Sequence, residues 1–205
     1  MSGVLPRCPG SVQQQLLLRH IEMLIDEKSV MKPVITVILP TRNRAATLER
    51  AVRSVLGQTF ASLELIVVDD GSNDGSVSML TEKVHDTRLR CLRLDQSLGP
   101  SGARNFGVTQ ARTEWIAFQD SDDLWLPHKL ERQWALHQQY PDFDLIACDI
   151  QAHSQDDTPV HWRANDFEAL AVNAQDVLLM PLRFPTPTWL LRRSALESIG
   201  GFDTQ

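Results

Sequence analysis

Val34-Ile35-Thr36-Val37-Ile38-Leu39-Pro40-Thr41-Arg42-Asn43 is the stretch that decides the fold. Residues 34–39 are apolar and β-branched, without the alternation of a half-exposed strand. That is the pattern of a strand buried on both faces. Pro40 has no N–H for a ladder and is read as the end of the strand. From there the chain keeps alternating. Residues 46–57 read as a helix with Leu48, Val52, Val55 and Leu56 on one face. Residues 63–68 form a second buried strand, closed by Asp69-Asp70-Gly71-Ser72. A helix starts near residues 73–75, where Ser and Asn supply caps. Residues 88–94 are a third, more exposed strand, 100–111 a helix and 115–119 another buried strand. Residues 127–139 read as a helix with Pro127 in its first turn, and 144–148 as the next strand. Strand alternates with helix five times over short links, which predicts a parallel, doubly wound α/β sheet.

Outside this region the pattern is weaker. Residues 1–11 read as a loose tail. Residues 12–28 read as an amphipathic helix, with Leu17, Ile21, Leu24 and Ile25 at helical spacing. Its polar face lacks the Lys/Arg enrichment of a membrane-surface helix, so packing on its own domain is the favoured reading. Met31 directly precedes the first strand and is an alternative start. After Asp149 a polar stretch at 151–158 leads to an expected helix at 167–179 and a strand at 187–192. The chain thus divides into a tail and helix at 1–31 and one domain at 32–205, whose first part is 34–150.

The 205 residues suffice for one α/β domain with a real core. Hydrophobic residues are 42% and charged residues 22%, so disorder is not expected. The formal net charge of −6 argues against non-specific nucleic-acid binding, which needs clustered Lys and Arg. The three cysteines, Cys8, Cys91 and Cys148, are far apart and form no C-x-x-C, which disfavours a disulfide framework or a zinc site. Cys91 and Cys148 fall in expected strands, where Cys acts as a small core residue. His128 and His137 lie on one expected helix and read as surface residues. No apolar run approaches the ~20 residues of a membrane span, and no signal-peptide core is seen at the N-terminus. A cytoplasmic location follows, compatible with a place at the membrane periphery.

In open α/β sheets ligands bind beyond the C-terminal ends of the strands. Three expected strands end in Pro40-Thr41-Arg42-Asn43, Asp69-Asp70-Gly71-Ser72 and Asp120-Ser121-Asp122-Asp123. If the strands are neighbours, these ends meet in one crevice. Three carboxylates within four residues repel unless a cation or hydrogen-bond donors compensate. Mg²⁺ and Mn²⁺ take oxygen ligands and leave positions for substrate phosphates. The competing reading is a cap cluster ahead of the helix at Pro127. A carboxylate at the second strand end can accept from a nucleobase N–H or a ribose hydroxyl, although Asp-Gly-Ser is also ordinary turn chemistry. G-x-G-x-x-G, the P-loop and the G-x-S-x-G elbow are absent from the sequence.

Taken together the motifs resemble those of the family-two glycosyltransferases. Val37-Ile38-Leu39-Pro40-Thr41-Arg42-Asn43-Arg44 resembles their first strand. Leu65-Ile66-Val67-Val68-Asp69-Asp70-Gly71-Ser72 resembles their second strand and nucleotide loop. Gly99-Pro100-Ser101-Gly102-Ala103-Arg104-Asn105 is similar to their glycine-and-arginine segment, and Phe118-Gln119-Asp120-Ser121-Asp122-Asp123-Leu124-Trp125 to their Asp-x-Asp motif. The resemblance spans roughly residues 34–150. It implies a GT-A fold, a Rossmann-like and mostly parallel sheet, and a nucleotide-diphosphosugar donor, with a UDP-sugar first among candidates. It implies that Pro40 and Thr41 line the nucleoside pocket through their backbone, with Arg42 and Asn43 beside them. Asp70 would receive the base N–H, Arg104 would sit close to the nucleotide, and Asp120 and Ser121 near the ribose. Asp122 would hold Mn²⁺ or Mg²⁺ against the diphosphate, and the sugar would pass, with inversion, to a saccharide or glycoconjugate acceptor. In the family the base lies beyond the Gly-Gly-Phe-Asp segment. Here Ile199-Gly200-Gly201-Phe202-Asp203 is present and the sequence ends at Gln205. The base is therefore expected beyond Gln205, and a truncated form is expected to bind donor while transferring sugar poorly. Two other classes remain open, a non-catalytic nucleotide-sugar-binding module and a sugar nucleotidyltransferase. The second expects a glycine-rich loop where this sequence has Pro40-Thr41-Arg42-Asn43.

Overall fold

The computed structural model describes residues 32–150, 152–153, 159–160, 171–172 and 185–204. The expected tail and helix of residues 1–31 lie outside them. Strands β1 (Ile35–Thr41), β2 (Leu63–Asp69), β3 (Leu89–Arg93) and β4 (Trp115–Phe118) are joined by helices α1 (Leu48–Leu56), α2 (Ser76–Lys83) and α3 (Gly99–Gln110). Helix α4 (Lys129–Gln139) leads to β5 (Leu145–Ala147). Strands β6 (Ala152–His153) and β7 (Pro159–Val160) form a separate two-stranded ribbon. Strand β8 (Ala171–Val172), a 3₁₀ turn at Thr186–Thr188, strand β9 (Trp189–Arg192) and helix α5 (Arg193–Ser198) complete the described elements.

The main sheet runs β3-β2-β1-β4-β9-β5-β8. Strands β1 to β4 are parallel, as their alternation with helices requires. Strand β9 departs from the simple alternating pattern: it inserts antiparallel between β4 and β5. Ala171–Val172 was expected inside a helix but pairs antiparallel with β5. The rest of the 167–179 stretch lies outside the described residues.

Side chains alternate across β1. Val37 and Leu39 face one core, with Leu48, Val52 and Val55 of α1, Leu80 of α2 and Leu130 of α4. Ile38 faces the other core, with Ala103 and Val108 of α3 and Leu196 of α5. Both faces of the sheet are thus covered, which is why the strands read as continuous apolar runs. Helix α3 approaches closely because Gly107 has no Cβ. A Cβ there would lie 2.4 Å from Cγ2 of Ile38.

Pro40 does not end its strand. β1 continues to Thr41, with Pro40 opposite Val68. Peptide groups alternate sides along a strand. Ile38 O accepts from Gln119 on the β4 side, and Thr41 O accepts from Asp70 on the β2 side. The N–H that Pro40 lacks would face β4, whose pairing with β1 stops at Ile38. No ladder bond is lost.

The registers set the ends level. Thr41 lies opposite Asp69 and Ile38 opposite Phe118. Thr41-Arg42, Asp70 and Asp120 therefore emerge side by side at one edge of the sheet. No helix among the described residues is long and apolar enough to cross a membrane.

Candidate functional site

A cleft of about 330 Å³ opens over these strand ends and the first turns of α3. Eight of the nine residues singled out in the sequence line it: Pro40, Thr41, Arg42, Asp70, Arg104, Asp120, Ser121 and Asp122. Asn43 is not among its lining residues. Its backbone is left-handed, at φ 53°. Its N–H donates to Ser72 Oγ at 3.0 Å, and its Oδ1 accepts from the Asn73 N–H at 2.9 Å. Asn43 ties the first loop to the second. The cleft also takes in Arg44, Gly99, Pro100 and Ala103, which were not singled out as binding residues. Arg44 was within the quoted first motif, and the other three within the glycine-and-arginine segment.

The two neighbouring aspartates of the second loop do different things. Asp69 Oδ1 accepts from the Ser72 N–H at 2.8 Å, the turn chemistry its sequence suggests, and Oδ2 accepts from Arg93 at 3.0 Å. Asp70 is buried and reaches the start of α3 instead. Its Oδ1 accepts from the Leu98 N–H at 2.6 Å. Its Oδ2 accepts from the Gly99 N–H at 3.1 Å and from Ser97 Oγ–H at 2.7 Å. A carboxylate here satisfies N–H groups that a helix start leaves unpaired and complements its dipole. Arg42 donates in turn to Ser97 Oγ at 2.7 Å.

The third strand end is paired with cations. Arg104 donates to Asp120 Oδ1 at 2.6 Å, and Arg44 lies 3.3 Å from Asp122 Oδ2. None of these carboxylates caps α4, whose N-cap is His128, so the helix-cap reading of the cluster is not realised. Burial and the neighbouring Asp120 and Asp122 push the Asp123 carboxyl above its ordinary pKa. Among the described residues no group of three or more His, Cys, Asp or Glu closes around a metal ion. Thr41 Oγ1 and Arg104 Nε are buried beside the cleft with no hydrogen-bond partner.

Two clamps hold these loops. Gln58 Nε2 donates to the Leu126 carbonyl at 2.8 Å, and Gln58 Oε1 accepts from the Leu130 N–H at 3.0 Å, fixing the segment after Asp123. On the other side Phe202 packs edge-to-face on Phe118 at 5.1 Å and lies 5.7 Å below the Arg104 guanidinium. His128 is exposed and pairs with Glu131. His137 is not a plain surface residue, since its half-buried ring lies 4.2 Å from that of Trp115.

The family model described as "Glycosyl transferase family 2" matches residues 36–200. The succinoglycan biosynthesis protein ExoO of Rhizobium meliloti is 41% identical over 100 residues, covering 49% of this chain and 28% of that protein. The Escherichia coli protein WfgD, named as a UDP-Glc:alpha-D-GlcNAc-diphosphoundecaprenol beta-1,3-glucosyltransferase, is 39% identical over 100 residues, covering 49% of this chain and 39% of that protein. The chain thus spans well under half the length of these curated relatives. Among solved structures, Staphylococcus aureus TarS 1-349 in complex with UDP superposes with a TM-score of 0.69 at 24% identity, over 83% of this chain and 50% of that one. The Pyrobaculum calidifontis mannosyltransferase PcManGT, in complex with GDP-Man and Mn²⁺, superposes with a TM-score of 0.63 at 25% identity, over 85% and 48%. The fold is that of these GT-A glycosyltransferases.

Proposed function

The chain belongs to glycosyl transferase family 2, and from that premise we propose that the cleft binds a nucleotide-diphosphosugar for sugar transfer to a saccharide or glycoconjugate acceptor. The observation that carries the reading is the convergence of Thr41, Asp70, Arg104 and Asp122 in one cleft. UDP is the first nucleotide to test, because similar proteins are named for, or solved with, UDP-linked ligands.

The residues present fit a divalent ion. The donor set is carboxylate oxygen, and Asp122 is half-exposed in the cleft, held only by an exposed ion pair with Arg44. Mg²⁺ and Mn²⁺ need only one or two protein carboxylates when a substrate's phosphates complete the shell. Asp122 would hold the ion, with Asp120 close by. When bound, such an ion stabilises negative charge on a departing diphosphate as a Lewis acid.

The remaining work falls to the chain. Thr41 and Arg104 line the cleft and would contact the nucleotide. Asp70 shapes the pocket by holding the Ser97–Gly99 turn. It keeps a share of its acceptor capacity for a base N–H, since each carboxylate oxygen has two lone pairs. Arg104, on the wall of the cleft, orients Asp120. Arg42 and Arg44 add positive charge opposite the diphosphate. Inversion would place a general base on the acceptor side, a role assigned here to none of the described residues.

The test is release of nucleoside diphosphate from a panel of UDP-, GDP- and dTDP-sugars, with Mn²⁺ and with a saccharide acceptor panel. Release from one nucleotide class supports transfer. Binding without release supports a donor-binding module, and absence of both contradicts the reading.

A further inference from the structure

We propose that Arg44 couples cation binding to diphosphate binding: its guanidinium holds Asp122 in the free cleft and exchanges it for the donor's diphosphate when the cation takes that carboxylate. The inference rests on the donor-site reading above and assigns a role to a residue that reading leaves general.

Arg44 differs from the other two arginines of the cleft. Arg104 is largely buried and its bond to Asp120 is short, which makes it a fixed part of the wall. Arg42 is engaged with Ser97 Oγ and touches a carboxylate only through that hydroxyl. Arg44 is paired directly with Asp122, at 3.3 Å, and both side chains are about half-exposed, at 50% and 52%. Exposed pairs of this kind are weak, so the contact can be exchanged at little cost.

The backbone around Arg44 is held by hydrogen bonds, while its side chain is half-exposed. Asn43 is locked to Ser72 and Asn73, and the Ala45 N–H donates to Asp74 Oδ2 at 3.0 Å. The Arg44 carbonyl accepts from the N–H groups of Thr47 and Leu48, where α1 begins. The guanidinium therefore pivots from a fixed base at the rim, within reach of Asp122 and of whatever lies in the cleft.

The electrostatics follow. A divalent ion bound at Asp122 alone meets the Arg44 cation beside it, and like charges at this range repel. A diphosphate bound alone must draw Arg44 away from Asp122. When both bind, the ion takes Asp122 and the guanidinium takes phosphate oxygens, for which its planar fork is suited. Each ligand removes the cost the other faces, and such a coupling acts equally in both directions.

The experiment titrates Mn²⁺ with and without UDP, and UDP with and without Mn²⁺, by calorimetry on the chain and on Arg44→Ala and Arg44→Gln. The expected result is that both variants bind Mn²⁺ alone more tightly than the parent. They bind UDP in the presence of Mn²⁺ about tenfold more weakly, the loss of one charge-assisted contact. The mutual enhancement between the two ligands shrinks accordingly, while the melting midpoint stays that of the parent. Unchanged UDP affinity and unchanged enhancement in folded variants overturn the role of Arg44 and leave the donor site standing. Absence of Mn²⁺-dependent binding of UDP, GDP and dTDP alike in the parent chain overturns the donor-site reading and this coupling with it.

Discussion

Asn105 holds Phe202 by both ends of its amide. Its Nδ2 donates to the Phe202 carbonyl, and its Oδ1 accepts from the Phe202 N–H, each at 2.8 Å across 97 positions of sequence. Asn105 directly follows Arg104, and the pair docks the Gly200-Gly201-Phe202 segment on the helix that lines the cleft. Gly201 is needed for the approach. It sits at φ +84°, and a Cβ there would lie 2.7 Å from Asn105 Oδ1.

Asn105→Ala should therefore cost about 1–3 kcal/mol, since it removes both bonds and leaves peptide groups unpaired. Urea denaturation measures the loss. Nucleotide affinity should fall as well, because Phe202 supports the Arg104 guanidinium. A variant with unchanged stability and affinity would show that the clamp is idle.

Gly107→Ala tests how α3 is seated. The added methyl meets Ile38, and Val68 lies just behind at 3.3 Å, so the helix must move off the sheet. Overpacking of this kind costs about 1–3 kcal/mol. The shift would also carry Arg104 and the Ser97–Gly99 turn away from the strand ends. A thermal melt and a UDP titration should both worsen.

Asp70→Asn separates two roles of that carboxylate. Both oxygens accept in the structure, so an amide NH₂ in place of one of them must face a donor. The turn should loosen at a cost of about 1–3 kcal/mol, with weaker nucleotide binding. Full stability with lost binding would instead mean that Asp70 serves only the ligand.

Much of this arrangement is legible in the sequence. The four parallel strands and their helices lie within a few residues of the expected bounds, because a strand buried on both faces leaves an unbroken apolar run. The strand ends were legible because they carry polar residues that such a run otherwise excludes. What escaped the sequence depends on pairing. Nothing local to Trp189–Arg192 says that it inserts antiparallel between β4 and β5. Pro40 was misplaced because the unpaired β4 side, which makes it harmless, is a property of the register. Asn43 was read as a ligand contact, and its bond from the Asn73 N–H across 30 positions is one that no local pattern shows. Arg44 was quoted within the first motif without a role, and only the fold brings it to Asp122.

Lys129 gives the stability a pH dependence. Its Nζ donates to Gln133 Oε1 at 2.8 Å and lies 3.9 Å from the Trp125 ring, and burial lowers its pKa from 10.5 to about 8. Between those values the unfolded chain holds the proton and the folded chain has released it. Stability contributed by this group therefore rises with pH over that interval, and the full penalty applies below it. Lys129→Met should flatten that slope in urea titrations across the interval. An identical slope in the variant would contradict the assignment.

The central claim is that the cleft binds a nucleotide through a cation held by Asp122. Calorimetric titration of UDP with and without Mn²⁺, on the chain and on Asp122→Ala, tests it most directly. The expected result is that Mn²⁺ strengthens UDP binding in the parent and has no effect in the variant, which keeps its fold. Mn²⁺-dependent UDP binding that survives unchanged in Asp122→Ala would contradict it.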